Sequence, residues 1–451
     1  MREVRIRDTL SGAVQTLDPD HEVGIYACGP TVYSRIHIGN ARPFVVFSLF
    51  ARFLRSEGYV TRLVVNVTDI NDKIYRAATE AGEGSAAFAE AMTAAYVEDT
   101  DRLGVGRPDA EPKATETVDG IVALIAQLIE SDHAYEAGGD VYFRVRSFPG
   151  YGKLSNRKPE DMDQGEEAGS AGLKEERLDF ALWKSTKDGE DTSWESPWGP
   201  GRPAWHIECS VMAERELGAS FAIHGGGSDL VFPHHENEIA QSESAGHPFA
   251  HVWMHNGMVD TAGEKMSKSE GNIFQLKEAL DRYGSEAVVA YLISGHYRQP
   301  LAFGPVQMEE AVARVERLRN FFREHPVGEG RPGEASIARL EAFKDALADD
   351  YNTPRAMAEV FELVGEAHRE DDLPGAPEAV AAMLDLVGHA THHMQLEGGK
   401  ADQDAQRLME EREAARAARD FAKADALRDE LASIGYEVRD SAEGPRIVPK
   451  P

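Results

Sequence analysis

The chain has 451 residues, of which 42% are hydrophobic, and a formal net charge of −30. This length is enough for about three domains with real cores, and the acidic balance argues against a broad nucleic-acid surface, which needs clustered Lys and Arg. No apolar run approaches the length of a membrane span, and the first ten residues lack the apolar segment of a signal peptide. The chain has only two cysteines, Cys28 and Cys209, which argues against a disulfide framework. We therefore expect a cytoplasmic protein.

The first predicted unit is a strand, a helix and a second strand at 23–29, 44–57 and 61–67. The strands are short apolar runs, and the helix has an amphipathic pattern. A strand–helix–strand unit of this length predicts parallel strands, whose carboxyl ends form the edge where open α/β sheets bind ligands. The segments 37–40 and 68–72 are expected at that edge.

Between residues 140 and 203 the pattern changes to short strands and polar loops, with an acidic stretch from Pro159. This composition predicts a surface insertion between two halves of a nucleotide-binding fold. The sheet is expected to resume with strands at 220–224 and 251–259.

Helical periodicity dominates the remainder of the chain. Apolar residues recur at helical spacing in 306–324, and further helices are predicted at 336–349, 353–369 and 377–394, before a Gly-rich linker at 398–400. The last segment, 405–451, holds nine Lys or Arg and ten Asp or Glu. This local balance is compatible with RNA contact, although charge alone favours an ordinary salt-bridged surface helix.

Two segments together suggest that ATP activates a carboxylate. His37-Ile-Gly-Asn40 follows the first strand and precedes the helix predicted from residue 44, so backbone N–H groups at a helix start can face a phosphate. Lys265-Met-Ser-Lys268-Ser269 supplies two lysines in a polar loop, which could stabilise a leaving pyrophosphate. Alone, each could be a chance tetrapeptide or a solvated turn, and the hypothesis rests on the pair in this order.

A metal site is predicted from the two cysteines and the run Pro233-His-His-Glu-Asn-Glu238. His234 and Glu238 are four residues apart and share a helical face. His235 and Glu238 are three residues apart, which places them almost as well on one face. Two thiolates, one imidazole and one carboxylate suit Zn²⁺. The alternative is that Cys28 and Cys209 are small buried hydrophobes and the histidines lie on a helix surface.

Other patterns were considered and set aside. His224-Gly-Gly-Gly227 is similar to an esterase oxyanion loop, but the chain has no Gly-x-Ser-x-Gly nucleophile elbow. It also has no Gly-x-x-x-x-Gly-Lys-Ser/Thr phosphate loop. His392-His393 has no nearby cysteine and is interpreted as helix surface.

Along almost its whole length, the chain resembles bacterial cysteinyl-tRNA synthetases, which are class I aminoacyl-tRNA synthetases. The segments that carry the resemblance are Cys28-Gly-Pro-Thr-Val-Tyr33, His37-Ile-Gly-Asn40, Asn66-Val-Thr-Asp-Ile-Asn-Asp-Lys73, Asp179-Phe-Ala-Leu-Trp-Lys184, Trp205-His-Ile-Glu-Cys209, His224 to Glu238, and Lys265-Met-Ser-Lys-Ser269.

The resemblance implies a role for each matching residue. One zinc ion per chain would be bound by Cys28, Cys209, His234 and Glu238. Thr68 and Trp205 would line the amino-acid pocket, and Asp229 would hold the ATP ribose. His37, Asn40, Lys265 and Lys268 would act on the ATP phosphates, with Mg²⁺ accompanying ATP. The implied substrates are L-cysteine, ATP and tRNA(Cys), and we expect a monomer without membrane contact.

The resemblance also implies a division of this α/β chain. The expected parts are a Rossmann-like catalytic domain in two halves (1–139 and 205–258), a connective insertion (140–204), a lysine-loop and stem-contact region (259–305), a helical bundle (306–395) and a C-terminal anticodon-binding module (405–451).

Two departures from the family pattern stand out. The family usually has His where this chain has Asn40, which can hydrogen-bond a phosphate without bringing a positive charge. The chain ends Gly444-Pro-Arg-Ile-Val-Pro-Lys-Pro451, where an aromatic-basic motif is usual. Two other functions are therefore considered: a related ligase that passes cysteine to an amino-sugar, and a non-catalytic paralogue that binds nucleotide or RNA.

Overall fold

The computed structural model describes most of the chain, with several gaps. The described residues are 1–158, 172–261, 264–265, 274–328, 331–369, 373–389, 405, 407–416, 420–433, 436–441 and 444–449. None of the described helices combines the length and apolar character needed to cross a lipid bilayer.

A four-stranded parallel sheet forms the centre of the first half. Its strands are β3 (Val23–Ala27), β4 (Thr61–Val65), β9 (Ser220–Gly227) and β10 (Phe249–Asn256), in the spatial order β10, β9, β3, β4. All five residues of β3 are buried, as expected of an apolar strand covered on both faces. The predicted parallel unit is confirmed.

Helix α1 (Ile38–Ser56) connects β3 to β4 and packs its apolar residues into the main core. The prediction that this helix starts at residue 44 is wrong by six residues. Gly39 and Pro43 lower the helix propensity of the first turns, but burial of Ile38 and Ala41 outweighs it. Consequently His37, with extended dihedral angles, is the N-cap, and Asn40 lies within the first turn.

A second sheet of four antiparallel strands lies beside the first. It consists of β5 (Ala134–Ala137), β6 (Asp140–Phe143), β7 (Phe180–Ser185) and β8 (Gly201–Pro203) in chain order. Its apolar side chains form a core with α4 (Val118–Glu130) and with α5 (Trp205–Leu217). The sheet begins before residue 140, so it extends across the boundary expected for the insertion.

The remaining strands, and three further helices of the first half, complete this part of the chain. They are the hairpin β1 (Arg5–Arg7) and β2 (Val14–Thr16), the helices α2 (Asp72–Ala81), α3 (Ser85–Asp101) and α6 (Glu236–Ser244), and the strands β11 (Val259–Thr261), β12 (Glu264–Lys265) and β13 (Leu301–Phe303). Strand β11 pairs with β12 antiparallel and with β13 parallel.

Helices follow the sheets. They are α7 (Leu276–Tyr283), α8 (Ser285–Leu292), α9 (Pro305–Glu324), α10 (Glu334–Ala348), α11 (Thr353–Arg369) and α12 (Ala376–Leu386). Their buried faces join the core of α1, so this core is continuous from the parallel sheet to the helices. The predicted bounds of 353–369 agree with the structure.

The C-terminal segment has a small core of its own. Residues 407–416 are helical, α13 spans Phe421–Ser433, and β14 (Tyr436–Ser441) forms an antiparallel hairpin with β15 (Gly444–Pro449). Leu408, Leu427, Leu431 and Tyr436 pack together. Residues 444–449 of the unusual C-terminal sequence therefore form one strand of this hairpin.

Candidate active site and metal centre

The two cysteines meet at the carboxyl edge of the parallel sheet. Cys28 directly follows β3, and its backbone N–H donates to Gly225 O in β9 (2.9 Å). Cys209 lies on the first turns of α5, which packs on the same sheet. Both side chains are buried, and their Sγ atoms are 3.8 Å apart.

His234 and Glu238 complete a cluster with the two thiols. Glu238 Oε1 lies 3.1 Å from His234 Nε2 and 3.9 Å from Cys28 Sγ. All four ligand atoms lie within 4.8 Å of one another, and all four residues are buried. Nε2 of His234 is buried and makes no hydrogen bond within the described part of the chain, so its close approach to a carboxylate oxygen is not a hydrogen bond.

These distances match the edges of a tetrahedral zinc site. Two thiolates bound at about 2.3 Å to one tetrahedral ion lie about 3.8 Å apart, and a nitrogen and an oxygen at about 2.0 Å lie about 3.3 Å apart. The corresponding separations here are 3.8 and 3.1 Å. The residues present therefore fit a zinc ion by spacing and by donor type.

A second arrangement shares two of these residues. Cys28, His224, His235 and Glu238 also bring ligand atoms within 4.8 Å. It has a single thiol, and His224 Nε2 already hydrogen-bonds Glu238 Oε2 (2.8 Å). We therefore favour the set with His234, in which His224 acts as the outer partner that orients the carboxylate.

Burial favours the neutral form of three of these four side chains when no cation is bound. Burial, with the Cys209 thiol close by, raises the pKa of Cys28 well above its usual value, and burial raises the pKa of Glu238 in the same way. Burial, together with the neighbouring His206 and His224, lowers the pKa of His234. A bound dication reverses this preference for thiols and carboxylates, because the ion becomes the largest local charge.

Of the two residues expected in the amino-acid pocket, Trp205 contacts this cluster and Thr68 lies in a loop next to the one that follows Cys28. The Trp205 ring stacks on His234 with centroids 4.0 Å apart and planes 20° apart. Thr68 is buried in the loop after β4, and its N–H donates to Pro30 O (3.1 Å) in the loop after β3. The two loops pack so closely that a Cβ at Gly29 would overlap the Asn66 carbonyl oxygen. Glycine is therefore required at this position.

The helix start expected to face ATP lies at the same edge of the sheet. Asn40 is exposed, and its Oδ1 accepts from the His37 backbone N–H (3.3 Å). A Cβ on Gly39 would lie 2.9 Å from two atoms of the His37 ring. The absence of a side chain at Gly39 thus allows His37 to turn back over the first turn of α1.

The described residues include only the two ends of the lysine segment, at Lys265 and from residue 274 onward. Lys265 pairs through its backbone with Asp260, and Gln275 forms an antiparallel bridge with His37. Residues 266–273, which include Lys268, lie outside the described residues, as does His392-His393. The chain leaving the lysine segment therefore returns to the start of α1.

Asp229 follows β9 in a short turn, Ser228–Leu230, and is exposed. Its Oδ1 would lie 2.5 Å from a Cβ placed on Gly227. The structure thus places Asp229 at the carboxyl end of the strand next to β3, on the sheet edge that carries the cysteines.

Two residues of the metal centre, and one residue that holds the chain before β11, were not predicted from the sequence. His206 Nδ1 lies 2.8 Å from His234 Nδ1 and acts as its outer partner. His224 bonds Glu238, although its sequence context had suggested only an oxyanion loop. Arg42 is fully buried and donates to backbone carbonyls beside β11. A polar residue at the end of a buried strand was the available signal for His224, and none was available for Arg42.

Comparisons with known proteins identify the family of the chain. Residues 14–313 match the family model of the class I (C) tRNA synthetase catalytic domain, and residues 399–445 match that of the cysteinyl-tRNA ligase anticodon binding domain. Cysteine–tRNA ligase of Methylobacillus flagellatus is 45% identical, with 98% of each chain covered. That of Azotobacter vinelandii is 46% identical, with 97% of this chain and 98% of the relative covered.

Solved structures share the fold at low identity. Methionyl-tRNA synthetase of Mycobacterium tuberculosis, in complex with methionyl-adenylate, has a TM-score of 0.61 at 16% identity, with 81% of this chain and 89% of that chain covered. A leucyl synthetase ternary complex from Agrobacterium radiobacter has a TM-score of 0.59 at 12% identity, covering 84% and 85%. The ligases are 45% and 46% identical to this chain over nearly its whole length. Together with the two family models, this shows that the chain belongs to the cysteine–tRNA ligase family of class I aminoacyl-tRNA synthetases.

Proposed function

We propose that the chain activates L-cysteine with ATP to cysteinyl-adenylate and transfers cysteine to the 3′ end of tRNA(Cys), releasing pyrophosphate and AMP. The observation that carries this proposal is the buried cluster of Cys28, Cys209, His234 and Glu238 beside the α1 start. Two thiols, an imidazole and a carboxylate form a donor set suited to zinc. No second thiol-containing cluster independent of Cys28 occurs among the described residues.

We assign the metal as one zinc ion, held by these four residues. Zinc bound there would supply a position for the thiolate of the substrate, which a serine hydroxyl fills poorly. Trp205, which stacks on His234, and Thr68, in the loop after β4, would bind the rest of the amino acid. Because the thiol itself provides the discrimination, the family's chemistry here needs no separate editing domain.

The α1 start and the lysine segment would act on ATP. His37 and Asn40 lie at the N-terminus of α1, where the positive end of the helix dipole favours an anion, and Asp229 would bind the ribose. Lys265 and Lys268 would stabilise the leaving pyrophosphate, with Mg²⁺ accompanying ATP. The bridge between Gln275 and His37 supports this arrangement, because it leads the chain beyond the lysines back to α1.

The domain division follows the same reasoning. We assign 1–139 and 205–258 to the catalytic domain, 140–204 to the insertion and 259–305 to the stem-contact region. The sheet of the insertion takes its first strand, β5, from the end of the first catalytic segment. The helical bundle is 306–395, and the C-terminal module 405–451 would read the anticodon of tRNA(Cys). We expect the protein to act as a cytoplasmic monomer without membrane contact.

The nearest alternative is a ligase that passes cysteine to an amino-sugar. The C-terminal core formed around Leu427 and Leu431 argues against it, because an amino-sugar acceptor gives no reason for such a module. The match of residues 399–445 to an anticodon-binding family supports tRNA. A non-catalytic paralogue is supported only by Asn40.

One experiment separates these functions. Purified protein is incubated with cysteine, ATP and either tRNA(Cys) or the amino-sugar, and cysteine transfer is measured for each acceptor. We expect transfer to tRNA(Cys) alone. Transfer to the amino-sugar would support the related ligase, and the absence of cysteine-dependent ATP–pyrophosphate exchange would support the paralogue.

A further inference from the structure

A second group of metal-binding side chains lies on the helical bundle, separate from the catalytic cluster. Glu324 is the last residue of α9, His325 is its C-cap, and His368 lies in the last turn of α11. One ligand atom from each of the three lies within 4.8 Å of the others. None of the three belongs to the site described above.

The separations in this group suit one metal ion. His368 Nε2 lies 3.2 Å from Glu324 Oε2, and the two imidazole centroids are 5.4 Å apart with planes 71° apart. A tetrahedral ion that binds nitrogen and oxygen at about 2.0–2.1 Å holds them about 3.3 Å apart and places two bound imidazole centres about 5 Å apart.

The rings are also held in place before any ion binds. Phe321 is fully buried one turn before His325, and its ring lies 5.1 Å from His325 and 5.8 Å from His368. Packing of both imidazoles on one buried ring reduces the conformational freedom lost when an ion binds. The C-termini of two helices converge here, and the negative end of each helix dipole favours a cation.

An ordinary surface ion pair between His368 and Glu324 would explain only part of this arrangement. Such a pair contributes little in water and does not require a second imidazole. The chain contains a comparison, because exposed His21 lies 2.8 Å from Asp18, and that pair belongs to none of the three-residue groups among the described residues.

We propose that Glu324, His325 and His368 bind a second divalent transition-metal ion of the zinc class and thereby join the C-terminal ends of α9 and α11. Two imidazoles and one carboxylate are borderline ligands that suit Zn²⁺. The site is partly exposed, with 65% of the Glu324 side chain and 39% of the His368 side chain accessible. Water therefore completes the coordination, and the ion exchanges with solvent.

The test uses the full chain already loaded with its catalytic zinc. Equilibrium dialysis against Zn²⁺, followed by elemental analysis, counts the ions bound per chain. We expect a second equivalent in the wild type, and its affinity should fall by at least about tenfold in His325→Ala and in His368→Ala, since even losing an outer partner of a ligand costs about 10–100-fold. His21→Ala is the matched control and should bind the second zinc equivalent with wild-type affinity.

A second measurement separates a shared ion from loose adsorption. Because an ion that binds only the folded state stabilises it, Zn²⁺ should raise the Tm of the loaded wild type and of His21→Ala, and should not raise that of His368→Ala. Cysteine-dependent exchange should be equal in all variants. Absence of the second equivalent in wild type, or its persistence in the His325→Ala/His368→Ala double variant, would overturn the proposal.

Discussion

Arg42→Met tests how helix α1 holds the base of the lysine segment. The Arg42 guanidinium is fully buried and donates to Gly257 O (2.6 Å), Met258 O (3.1 Å) and His296 O (3.3 Å). It therefore joins α1 to the chain entering β11 and to the loop before β13. Methionine retains an apolar stem of similar length and removes all three donors.

The expected loss of local stability in Arg42→Met is the difference between two opposing contributions. Three hydrogen bonds from a charged donor contribute about 1.5–3 kcal/mol each. Burial lowers the pKa of Arg42 from its usual value to about 10, and this shift corresponds to about 3 kcal/mol that opposes the charged form. Each carbonyl keeps another partner, namely the Asn256 side-chain amide or a backbone N–H. We expect a net loss of about 3 kcal/mol in local stability, within the range left by these terms.

Hydrogen exchange measured by mass spectrometry reads this local stability directly. A loss of about 3 kcal/mol should accelerate exchange of peptides covering 257–261 and 297–303 by about 100-fold. Arg52→Met is the control, since Arg52 on the same helix donates to Asp385 O and Val105 O instead. Exchange in Arg42→Met within about threefold of wild type would refute the reasoning, because it would imply less than 1 kcal/mol.

Three further predictions concern the proposed function. Cys209→Ser should lose the catalytic zinc, measured by elemental analysis, because a serine hydroxyl is a poor zinc ligand; stoichiometric zinc would contradict the ligand set. Lys268→Ala should slow cysteine-dependent ATP–pyrophosphate exchange by about 10²–10³, and an unchanged rate would exclude this lysine from the chemistry. A chain ending at Asp404 should keep exchange within several-fold while kcat/KM for tRNA(Cys) falls by about tenfold to a thousandfold; equal charging by both chains would remove the RNA role of 405–451.

Local sequence patterns predicted the elements that depend on neighbouring residues. Strand β3 is a short run of buried apolar residues, and the helical period of 353–369 coincides with α11. The start of α1 was missed because propensity weighs Gly39 and Pro43 against a helix, whereas the folded chain buries Ile38 and Ala41. That burial depends on the sheet below, which no local pattern describes.

The choice between His234 and His235 shows where sequence reasoning ends. Helical spacing places either residue near Glu238. In the folded chain, His235 Nδ1 lies 2.8 Å from His255 Nε2 in β10, and His234 Nδ1 lies 2.8 Å from His206 Nδ1 in α5. These partners come from elements whose positions depend on sheet order and strand register, so they cannot be derived from spacing within one helix.

The same sheet order explains why two chemical tasks share one edge. Cys28 directly follows strand β3, and the loop that continues from it leads to His37 at the start of α1. Cys28 is tied to β9 through Gly225 O, and a Cβ at Gly225 would overlap the Phe47 ring of α1. The sheet and α1 therefore pack at a fixed distance. Close-packed protein interiors have low compressibility. A cysteine bound by its thiol would therefore present its carboxylate to the start of α1 at a distance set by the packing of α1 on the sheet.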